Sequence, residues 1–295
     1  MRGNAEAHEF ISDTNLSDVL RRLEEAPGQW TPIAGGTELM VAHAAGRLSA
    51  TRLINLWGLP ALNFLQATNE SLAIGAGVTF GQLRRDPIVL SDFPLLARAA
   101  SWIGAIANQN RATIGGNIVN GSPAADAPPA LLVYDAEIEL ISSHGKRRIP
   151  YAEFHLGYKR NILAPEELVF ALHLPRRFSQ HAQYLRKVGT RKAMAITKVA
   201  LAATALVKDN QFTELRLAAA SVADRPIRLL ATEAVLLSST LSPELFKQAR
   251  TCLLDEVKPI DDIRSTADYR RQVAANLLEE FLNQLPANTP REAIA

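Results

Sequence analysis

The chain has 295 residues, enough for about two domains at roughly 150 residues each. Hydrophobic residues make up 47% of the chain and charged residues 21%, proportions typical of a globular protein and not of a disordered one. The formal net charge of +2 excludes a nucleic-acid-binding protein that depends on bulk positive charge.

A strand, a Gly-Gly turn, a helix and a second strand are predicted near the start of the chain. The residue pattern predicts one helix and two strands, at residues 17–26, 30–34 and 52–56. Gly35-Gly36 turns the chain between the two strands. Thr37 is expected to cap a further helix that runs to about residue 45 and ends at Gly46.

A second group of elements follows the first unit. The pattern predicts a strand, a helix, a short apolar segment and a hairpin, at residues 72–78, 94–103, 127–134, 137–142 and 146–149. Thr79 and Gln82 match a capping box and predict a short helix. Residues 105–124 are rich in glycine and asparagine and are predicted to form a loop. A loop of that length inside a compact domain is usually functional.

The pattern changes after Pro175-Arg176-Arg177, which marks a candidate domain boundary. Three strands are predicted beyond it, at residues 182–188, 196–207 and 212–222, with a turn at Asp209-Asn210. Three helices then follow, at residues 227–237, 243–256 and 265–285. Strands followed by helices indicate a separate α+β domain.

The first Gly-Gly pair has two interpretations. Gly35-Gly36 would let the backbone approach an anion, with N–H groups directed at a phosphate and a hydroxyl from Thr37 nearby. Alternatively, the pair is a tight turn between strand and helix, with Thr37 as the N-cap. The segment matches neither a Walker A loop nor the three-glycine dinucleotide fingerprint.

The second pair, Gly115-Gly116, lies in a more informative context. Polar residues surround it, namely Thr113, Asn117, Asn120, Ser122 and Asp126. Hydroxyls, amides and bare backbone N–H groups suit a pyrophosphate, whereas the carboxylate suits the hydroxyl of a ribose or ribityl chain. A dinucleotide needs both kinds of group. The alternative is an asparagine-rich coil without a ligand.

Several segments resemble the FAD-binding medium subunits of molybdenum hydroxylases, the xanthine dehydrogenase and carbon monoxide dehydrogenase family. Residues 113–118, Thr-Ile-Gly-Gly-Asn-Ile, followed by Ser122-Pro123, Asp126 and Pro128-Pro129, resemble the second FAD-binding loop of that family. Residues 33–39 resemble the first loop. Residues 186–196 resemble the start of the C-terminal domain, and residues 261–264 with 269–271 resemble the final helix.

The resemblance implies an α+β fold in two parts. Residues 1–175 would form the two-subdomain FAD-binding fold of the vanillyl-alcohol oxidase (PCMH) type, with subdomains at about 1–57 and 58–175. Residues 176–295 would form an α+β domain of the CO dehydrogenase flavoprotein C-terminal type. The dinucleotide would lie between the two subdomains.

The resemblance also assigns the cofactor-binding residues. Two sets would wrap the pyrophosphate from opposite sides, namely Pro32, Ile33, Ala34, Gly35, Gly36, Thr37, Glu38 and Leu39 from the first loop, and Thr113, Ile114, Gly115, Gly116 and Asn117 from the second. Asp126 would accept hydrogen bonds from the cofactor, and Lys187 would stabilise negative charge on the reduced flavin. Ile103 and Val169 would touch the cofactor through packing or backbone.

Local alternatives stand beside two of these assignments. Asp126 could be the N-cap of a helix at 127–132, and Lys187 could be a solvated strand residue. Two family features bear on the mode of binding. Glu38 stands where many bacterial members carry Asp, but the xanthine dehydrogenase branch tolerates Glu. Thr37 stands where relatives with covalent FAD carry His, so the FAD is expected to be non-covalent.

The implied function is that of an electron-transfer subunit. FAD would receive electrons from 2Fe-2S clusters of a small partner subunit and pass them to a terminal acceptor, while a large molybdenum-cofactor subunit oxidises the substrate. A dimer of such heterotrimers is expected. Two rival functions are a free-standing FAD-dependent oxidase or dehydrogenase of the same superfamily and a nucleotide-binding regulatory module with no redox role.

Negative features limit the other possibilities. Cys252 is the only cysteine, which excludes an internal disulfide and an iron–sulfur cluster held by this chain alone. It also argues against the 4-hydroxybenzoyl-CoA reductase branch, which has a cysteine-ligated cluster in this subunit. The histidines show no metal-ligand spacing, and no catalytic residue is assigned.

The apolar runs fall short of the roughly 18 residues of a membrane helix, and residues 1–8 lack a signal-peptide core, so a cytoplasmic location is expected.

Overall fold

The computed structural model of the chain describes residues 4, 7–191, 193–237 and 239–285. Lys192, in the segment at 186–196, lies outside the described residues. So do residues 1–3, 5, 6, 238 and 286–295 of the two predicted domains. The helices of the described part lack the combination of length and hydropathy needed to cross a membrane.

The first module is a parallel sheet with two helices. Its elements in chain order are β1 (Glu9–Ile11), α1 (Leu16–Glu25), β2 (Thr31–Ile33), α2 (Leu39–Ala44) and β3 (Arg52–Asn55). The strand order is β1-β3-β2. Val19, Leu20 and Leu23 are buried on one face of α1, and Asn15 caps the helix by accepting a hydrogen bond from the Asp18 N–H. The predicted helix and both predicted strands are confirmed within one or two residues at each end.

The entry to α2 differs from the prediction. Thr37 does not cap the helix, because Glu38 is the residue before α2 and no side chain makes a capping hydrogen bond there. Gly36 has a φ of +72°. A residue in the left-handed region cannot belong to a right-handed helix, so residues 34–38 stay an open loop and α2 begins later.

The second module contains a five-stranded antiparallel sheet. Its strands are β4 (Leu65–Ala67), β5 (Ser71–Gly75), β6 (Glu137–Ser142), β7 (Gly145–Pro150) and β10 (Leu168–Pro175), and a separate hairpin consists of β8 (His155–Gly157) and β9 (Arg160–Asn161). The sheet order is β4-β5-β10-β6-β7, which confirms the predicted hairpin of β6 and β7. The sequence reading missed β10 at the centre of the sheet. This strand is a nearly continuous apolar run, so it lacks the alternation of apolar and polar residues that distinguishes a strand from other apolar segments.

Six short α-helices accompany this sheet in the described residues. They are α3 (Phe80–Leu83), α4 (Pro87–Asp92), α5 (Pro94–Ser101), α6 (Ile106–Gln109), α7 (Ile114–Asn120) and α8 (Pro128–Val133). The capping box of Thr79 and Gln82 is confirmed at the start of α3. The prediction of a loop over 105–124 is wrong, because α6 and α7 occupy much of it. Ile114 and Ile118 are fully buried one turn apart, so tertiary burial overrides the low helix propensity of the glycines between them.

The third module is a four-stranded antiparallel sheet packed against helices. Its elements are β11 (Ala182–Val188), β12 (Val199–Lys208), β13 (Gln211–Ala220), β14 (Ile227–Arg228), α9 (Leu230–Leu237), α10 (Pro243–Glu256) and α11 (Ala267–Gln284). The three strands, the three helices and the turn are confirmed, and Asp209 and Asn210 in the turn have φ of +50° and +58°. One helix starts later than predicted, because residues 227–228 pair with Ala218 and Ala219 as β14.

Helix α8 joins the second and third modules. All six of its residues are buried. Ala202 of β12 and Ala218 of β13 belong to the same apolar core as α8, and Thr204 Oγ1 donates a hydrogen bond of 3.1 Å to the Val133 carbonyl. Asp135, just beyond the helix, pairs with three arginines, Arg177, Arg216 and Arg228. The two halves of the described chain therefore share buried contacts along α8.

Candidate functional site

The two glycine pairs lie against each other. A Cβ placed on Gly35 would lie 1.7 Å from the Arg111 carbonyl oxygen and 3.1 Å from the Ala112 nitrogen. Only glycine permits this approach of the first loop to the residues that precede Thr113. The Arg111 guanidinium also stacks on the Trp57 ring at 3.9 Å from its centroid. The structure therefore brings together the two segments that the sequence assigns to one ligand.

The first loop has free backbone donors. In the described part of the chain, the N–H groups of residues 34–38 donate no hydrogen bond, and the Thr37 hydroxyl has no partner. Gly36 takes the left-handed φ that turns the loop. Consecutive unpaired N–H groups in a turn of this kind form a concave binding site for an anion. This loop can therefore supply backbone donors to a phosphate.

The second loop uses its backbone donors internally. The Ile114 N–H donates to the Val78 carbonyl at 2.9 Å, and the Gly115 N–H donates to the Ala76 carbonyl at 3.0 Å. The Gly116 N–H donates to Thr113 Oγ1 at 3.2 Å, which caps α7. These three N–H groups hold the loop in place and are not free for a ligand.

The second loop instead presents an open surface and an unpaired amide oxygen. Gly116 is exposed, and a Cβ there would meet only Thr113 Oγ1, at 3.0 Å. Asn117 Oδ1 is buried and has no hydrogen-bond partner among the described residues. Because a buried unpaired acceptor is costly, it indicates a group that a ligand donor would satisfy.

The remaining residues assigned to the first loop differ in exposure. Pro32 is exposed on β2, whereas the Ile33 side chain is buried in the sheet. Leu39 begins α2. The Glu38 carboxylate pairs with Lys159 Nζ of the β8–β9 hairpin at 3.2 Å, and both side chains are largely exposed. This ion pair connects the first loop to the second module.

Asp126 and Lys187 form a buried ion pair. Lys187 Nζ lies 2.7 Å from Asp126 Oδ2, with the two side chains 11% and 9% exposed. Thr197 Oγ1 donates to Asp126 Oδ1 at 2.5 Å. Burial raises the pKa of Asp126, while the Lys187 ammonium and the Thr197 hydroxyl favour its ionised form.

This geometry excludes the two local alternatives. Asp126 does not cap α8, because Ala127 precedes that helix and no side-chain capping bond is made. Lys187 is not a solvated strand residue, and its Nζ also lies 5.9 Å from the centroid of the Trp102 ring. The sequence reading missed Thr197, whose local sequence carries no signal for its contact with Asp126.

Two further assigned residues lie in or against the apolar core. Val169 is 5% exposed on β10, where it pairs with Leu140 of β6. Ile103 is half-buried just after α5 and packs against the core of the second module. Ile114 of the second glycine loop belongs to the same apolar core. The contact of Val169 and Ile103 with a cofactor stays a prediction.

Two family models match the chain. The FAD binding domain in molybdopterin dehydrogenase matches residues 6–177, and the CO dehydrogenase flavoprotein C-terminal domain matches residues 184–285. A xanthine dehydrogenase FAD-binding subunit of Escherichia coli is 30% identical over 274 residues, covering 92% of this chain and 94% of that protein. The carbon monoxide dehydrogenase medium chain of Hydrogenophaga pseudoflava is 27% identical over 275 residues, covering 93% of this chain and 96% of that protein.

Solved structures agree with these sequence matches. A structure of carbon monoxide dehydrogenase from Hydrogenophaga pseudoflava superposes with a TM-score of 0.90 at 25% identity, covering 96% of this chain and 98% of that one. Quinoline 2-oxidoreductase from Pseudomonas putida shares the fold, with a TM-score of 0.87 at 21% identity and coverage of 96% and 98%. The comparisons confirm the resemblance stated from the sequence and the predicted α+β fold class.

Proposed function

The chain belongs to the FAD-binding medium subunits of the xanthine dehydrogenase and carbon monoxide dehydrogenase family, and from that membership we propose that it is the electron-transfer subunit of a molybdenum hydroxylase. It is an oxidoreductase subunit with an FAD-binding domain. In the proposed function, electrons arrive from 2Fe-2S clusters of a small partner subunit and leave for a terminal acceptor. The substrate is oxidised on a large molybdenum-cofactor subunit.

The observation that carries the proposal is the complementary donor and acceptor set of the two glycine loops. The first loop offers free N–H groups at 34–38, which suit the negative charge of a pyrophosphate. The second offers Asn117 Oδ1, which is unpaired in the described part of the chain and suits an N–H or O–H donor. An inorganic anion would need only the first set. A dinucleotide uses both, so the residues present fit FAD.

FAD supplies the capacity to accept electrons singly and release two together. The chain's own residues hold and orient it. The N–H groups of residues 34–38 would bind the pyrophosphate. The exposed Cα of Gly116 would let the backbone come close to it. Neither loop carries a residue suited to covalent attachment, so binding is non-covalent in this proposal.

The Asp126–Lys187 pair would set the charge near the flavin. An isolated ammonium would favour the reduced, anionic ring by Coulomb attraction, worth about 4 kcal/mol at 4 Å for an effective dielectric near 20. The partner carboxylate at 2.7 Å cancels most of that field. Lys187 would therefore act as a hydrogen-bond donor held in place, with a smaller effect on the reduction potential than a lone cation.

The partner subunits in this proposal follow from the kind of proteins that the chain resembles. Its relatives are FAD-binding subunits or medium chains of named dehydrogenases. We propose a large molybdenum-cofactor subunit, a small subunit with two 2Fe-2S clusters, a dimer of such heterotrimers and a cytoplasmic location. The substrate is not assigned.

Affinity purification of the tagged chain from its native host tests this function. We expect molybdenum, iron and FAD in the eluate, with substrate-dependent reduction of the flavin. Removal of this chain should abolish transfer to the terminal acceptor but retain dye-linked substrate oxidation on the other two subunits. A solitary yellow protein that turns over a small substrate would instead be a free-standing oxidase or dehydrogenase. A colourless protein that binds a nucleotide would be a regulatory module.

A further inference from the structure

A line of buried hydrogen bonds runs from the Asp126–Lys187 pair to helix α11. Thr197 Oγ1 donates to Asp126 Oδ1 at 2.5 Å, and Ser221 Oγ donates to the Thr197 carbonyl at 3.0 Å. Arg270 Nη1 then donates to the Ser221 carbonyl at 3.2 Å. None of these four residues is more than 8% exposed. Asp126, Thr197, Ser221 and Arg270 are called the Asp126–Arg270 network below.

Ser221 is the junction of this network. Besides its bonds to Thr197 and Arg270, its N–H donates to the Pro123 carbonyl at 2.8 Å, three residues before Asp126. Its φ is +64°, a conformation that residues with a side chain disfavour. Three hydrogen bonds therefore hold Ser221 in a strained conformation. Through them it fixes both the segment that contains Asp126 and the segment that contains Thr197.

Arg270 anchors the far end of the network. Its side chain is 4% exposed, and its Nη2 donates to Asp262 Oδ1 at 2.5 Å. Against the effect of burial, hydrogen bonds from the Arg264 N–H and from Arg270 lower the pKa of Asp262, which keeps the carboxylate charged. The planar guanidinium can bond Asp262 and the Ser221 carbonyl at once, which a lysine ammonium on a flexible chain cannot match in geometry.

We propose that Arg270, acting through the hydrogen bonds of the network, is a positioning residue for the Asp126–Lys187 pair. The proposal rests on the proposed function, because it takes that pair as part of the FAD site. Without the guanidinium, the Ser221 carbonyl loses its partner and the strained turn relaxes. Thr197 and the segment at 123–126 then lose their common anchor, so the carboxylate no longer faces Lys187 in one orientation.

Replacement of Arg270 in the full chain tests the proposal, with FAD titrated into the flavin-free protein. Arg270→Gln is expected to raise the FAD Kd about tenfold, the size expected when a charge-assisted hydrogen bond is lost. The matched control is Arg271→Gln, one residue along α11, because Arg271 pairs only with the exposed Asp268 in the described residues. The control should change the Kd by less than about twofold.

A double-mutant cycle separates positioning from a general loss of stability. If Arg270 acts through Asp126, Arg270→Gln should add almost nothing to the loss caused by Asp126→Asn. Within the network, Thr197→Ser keeps the hydroxyl and should retain the wild-type Kd, whereas the isosteric Thr197→Val should match the loss of Arg270→Gln. A residue with a merely structural role would give independent, multiplicative losses.

The proposal would be overturned if the two substitutions raised the Kd independently, so that their fold-changes multiply in the double variant. An unchanged Kd for Arg270→Gln would also overturn it. Circular dichroism of each variant shows whether it folds. If Arg270→Gln does not fold, Arg270→Lys replaces it in the same cycle, because it keeps the charge but has one donor nitrogen in place of Nη1 and Nη2. The proposed function fails differently, when the wild-type chain binds FAD but its flavin is not reduced by the iron–sulfur partner. That result would leave the outcome of the cycle intact.

Discussion

The loops at 34–38 and 113–117 each contain a Gly-Gly step, yet they use their backbone donors in different ways. Among the described residues, the N–H groups of the first loop have no acceptor, whereas those of residues 114–116 in the second loop donate to Val78, Ala76 and Thr113. The second loop offers an unpaired side-chain acceptor on Asn117 instead. The first loop is therefore suited to bind an anionic group with its backbone. The second is held by its own hydrogen bonds and offers one polar side chain.

The glycines Gly35 and Gly115 also differ in role from Gly116. A Cβ on Gly35 or on Gly115 would collide with backbone, at 1.7 Å from the Arg111 oxygen and 2.8 Å from the Ala76 oxygen. A Cβ on Gly116 would meet only a side-chain oxygen, at 3.0 Å. The first glycine of each pair is required by the fold. The fold does not require glycine at position 116, so a requirement for glycine there would come from ligand binding.

Gly35→Ala is expected to have the largest effect, because it breaks the contact between the loops. The added methyl cannot fit beside the Arg111 carbonyl, so the first loop must move away. We expect the free energy of unfolding to fall by about 3 kcal/mol, the upper range for overpacking, with loss of FAD. Urea unfolding and flavin content measure both. Gly116→Ala is the matched control, and equal stability of the two variants would contradict this division of roles.

Gly116→Val should separate binding from folding. The side chain would occupy the exposed surface where the backbone is proposed to approach the pyrophosphate, so FAD binding should be lost while the fold persists. Circular dichroism and released flavin, assayed on the same preparation, provide the measurement. A folded variant with a full complement of FAD would show that Gly116 does not face the cofactor. Gly115→Ala should instead lower stability.

The stability of the chain should also be sensitive to acid, through His155, which lies beside the end of α7. The Tyr151 hydroxyl contacts His155 Nε2 at 3.0 Å, and a Cβ on Gly121, at the end of α7, would lie 3.7 Å from His155 Nδ1. Burial, aided by the charge of Arg225, lowers the pKa of His155 to about 4. In the folded chain His155 therefore binds a proton only near pH 4, whereas in the unfolded chain it binds one below about pH 6.5.

The sign of the pH effect follows from this difference. As the pH falls from about 6.5 to about 4, the contribution of His155 to the free energy of unfolding should decrease by at most about 3 kcal/mol. Urea unfolding at a series of pH values should show a weaker acid dependence in His155→Gln than in wild type. The exposed His144 provides the control, since His144→Gln should keep the wild-type dependence. Identical pH profiles for His155→Gln and wild type would contradict the prediction.

Local pattern was enough to predict most elements and the polar character of the second loop. It could not predict that the N–H groups of Ile114 and Gly115 are paired, because their acceptors, Val78 and Ala76, lie far away in the sequence. The same holds for Asp126, whose partners come from β11 and from the residues before β12. Sequence reasoning identifies which groups can bind a ligand, and tertiary contacts decide which of them are still free.

Asn117→Leu should have the smallest effect and gives the sharpest contrast between stability and function. Replacement removes a buried acceptor that has no partner among the described residues. The free energy of unfolding of the flavin-free chain should therefore equal that of wild type or exceed it by up to about 1 kcal/mol. FAD affinity should fall about tenfold, because one hydrogen bond to the cofactor is lost. Unfolding of the flavin-free chain and FAD titration measure the two quantities separately. If Asn117 is instead a structural residue, the free energy of unfolding and the FAD affinity should fall together. Asn117 would then be required for folding alone, like the first glycine of each pair.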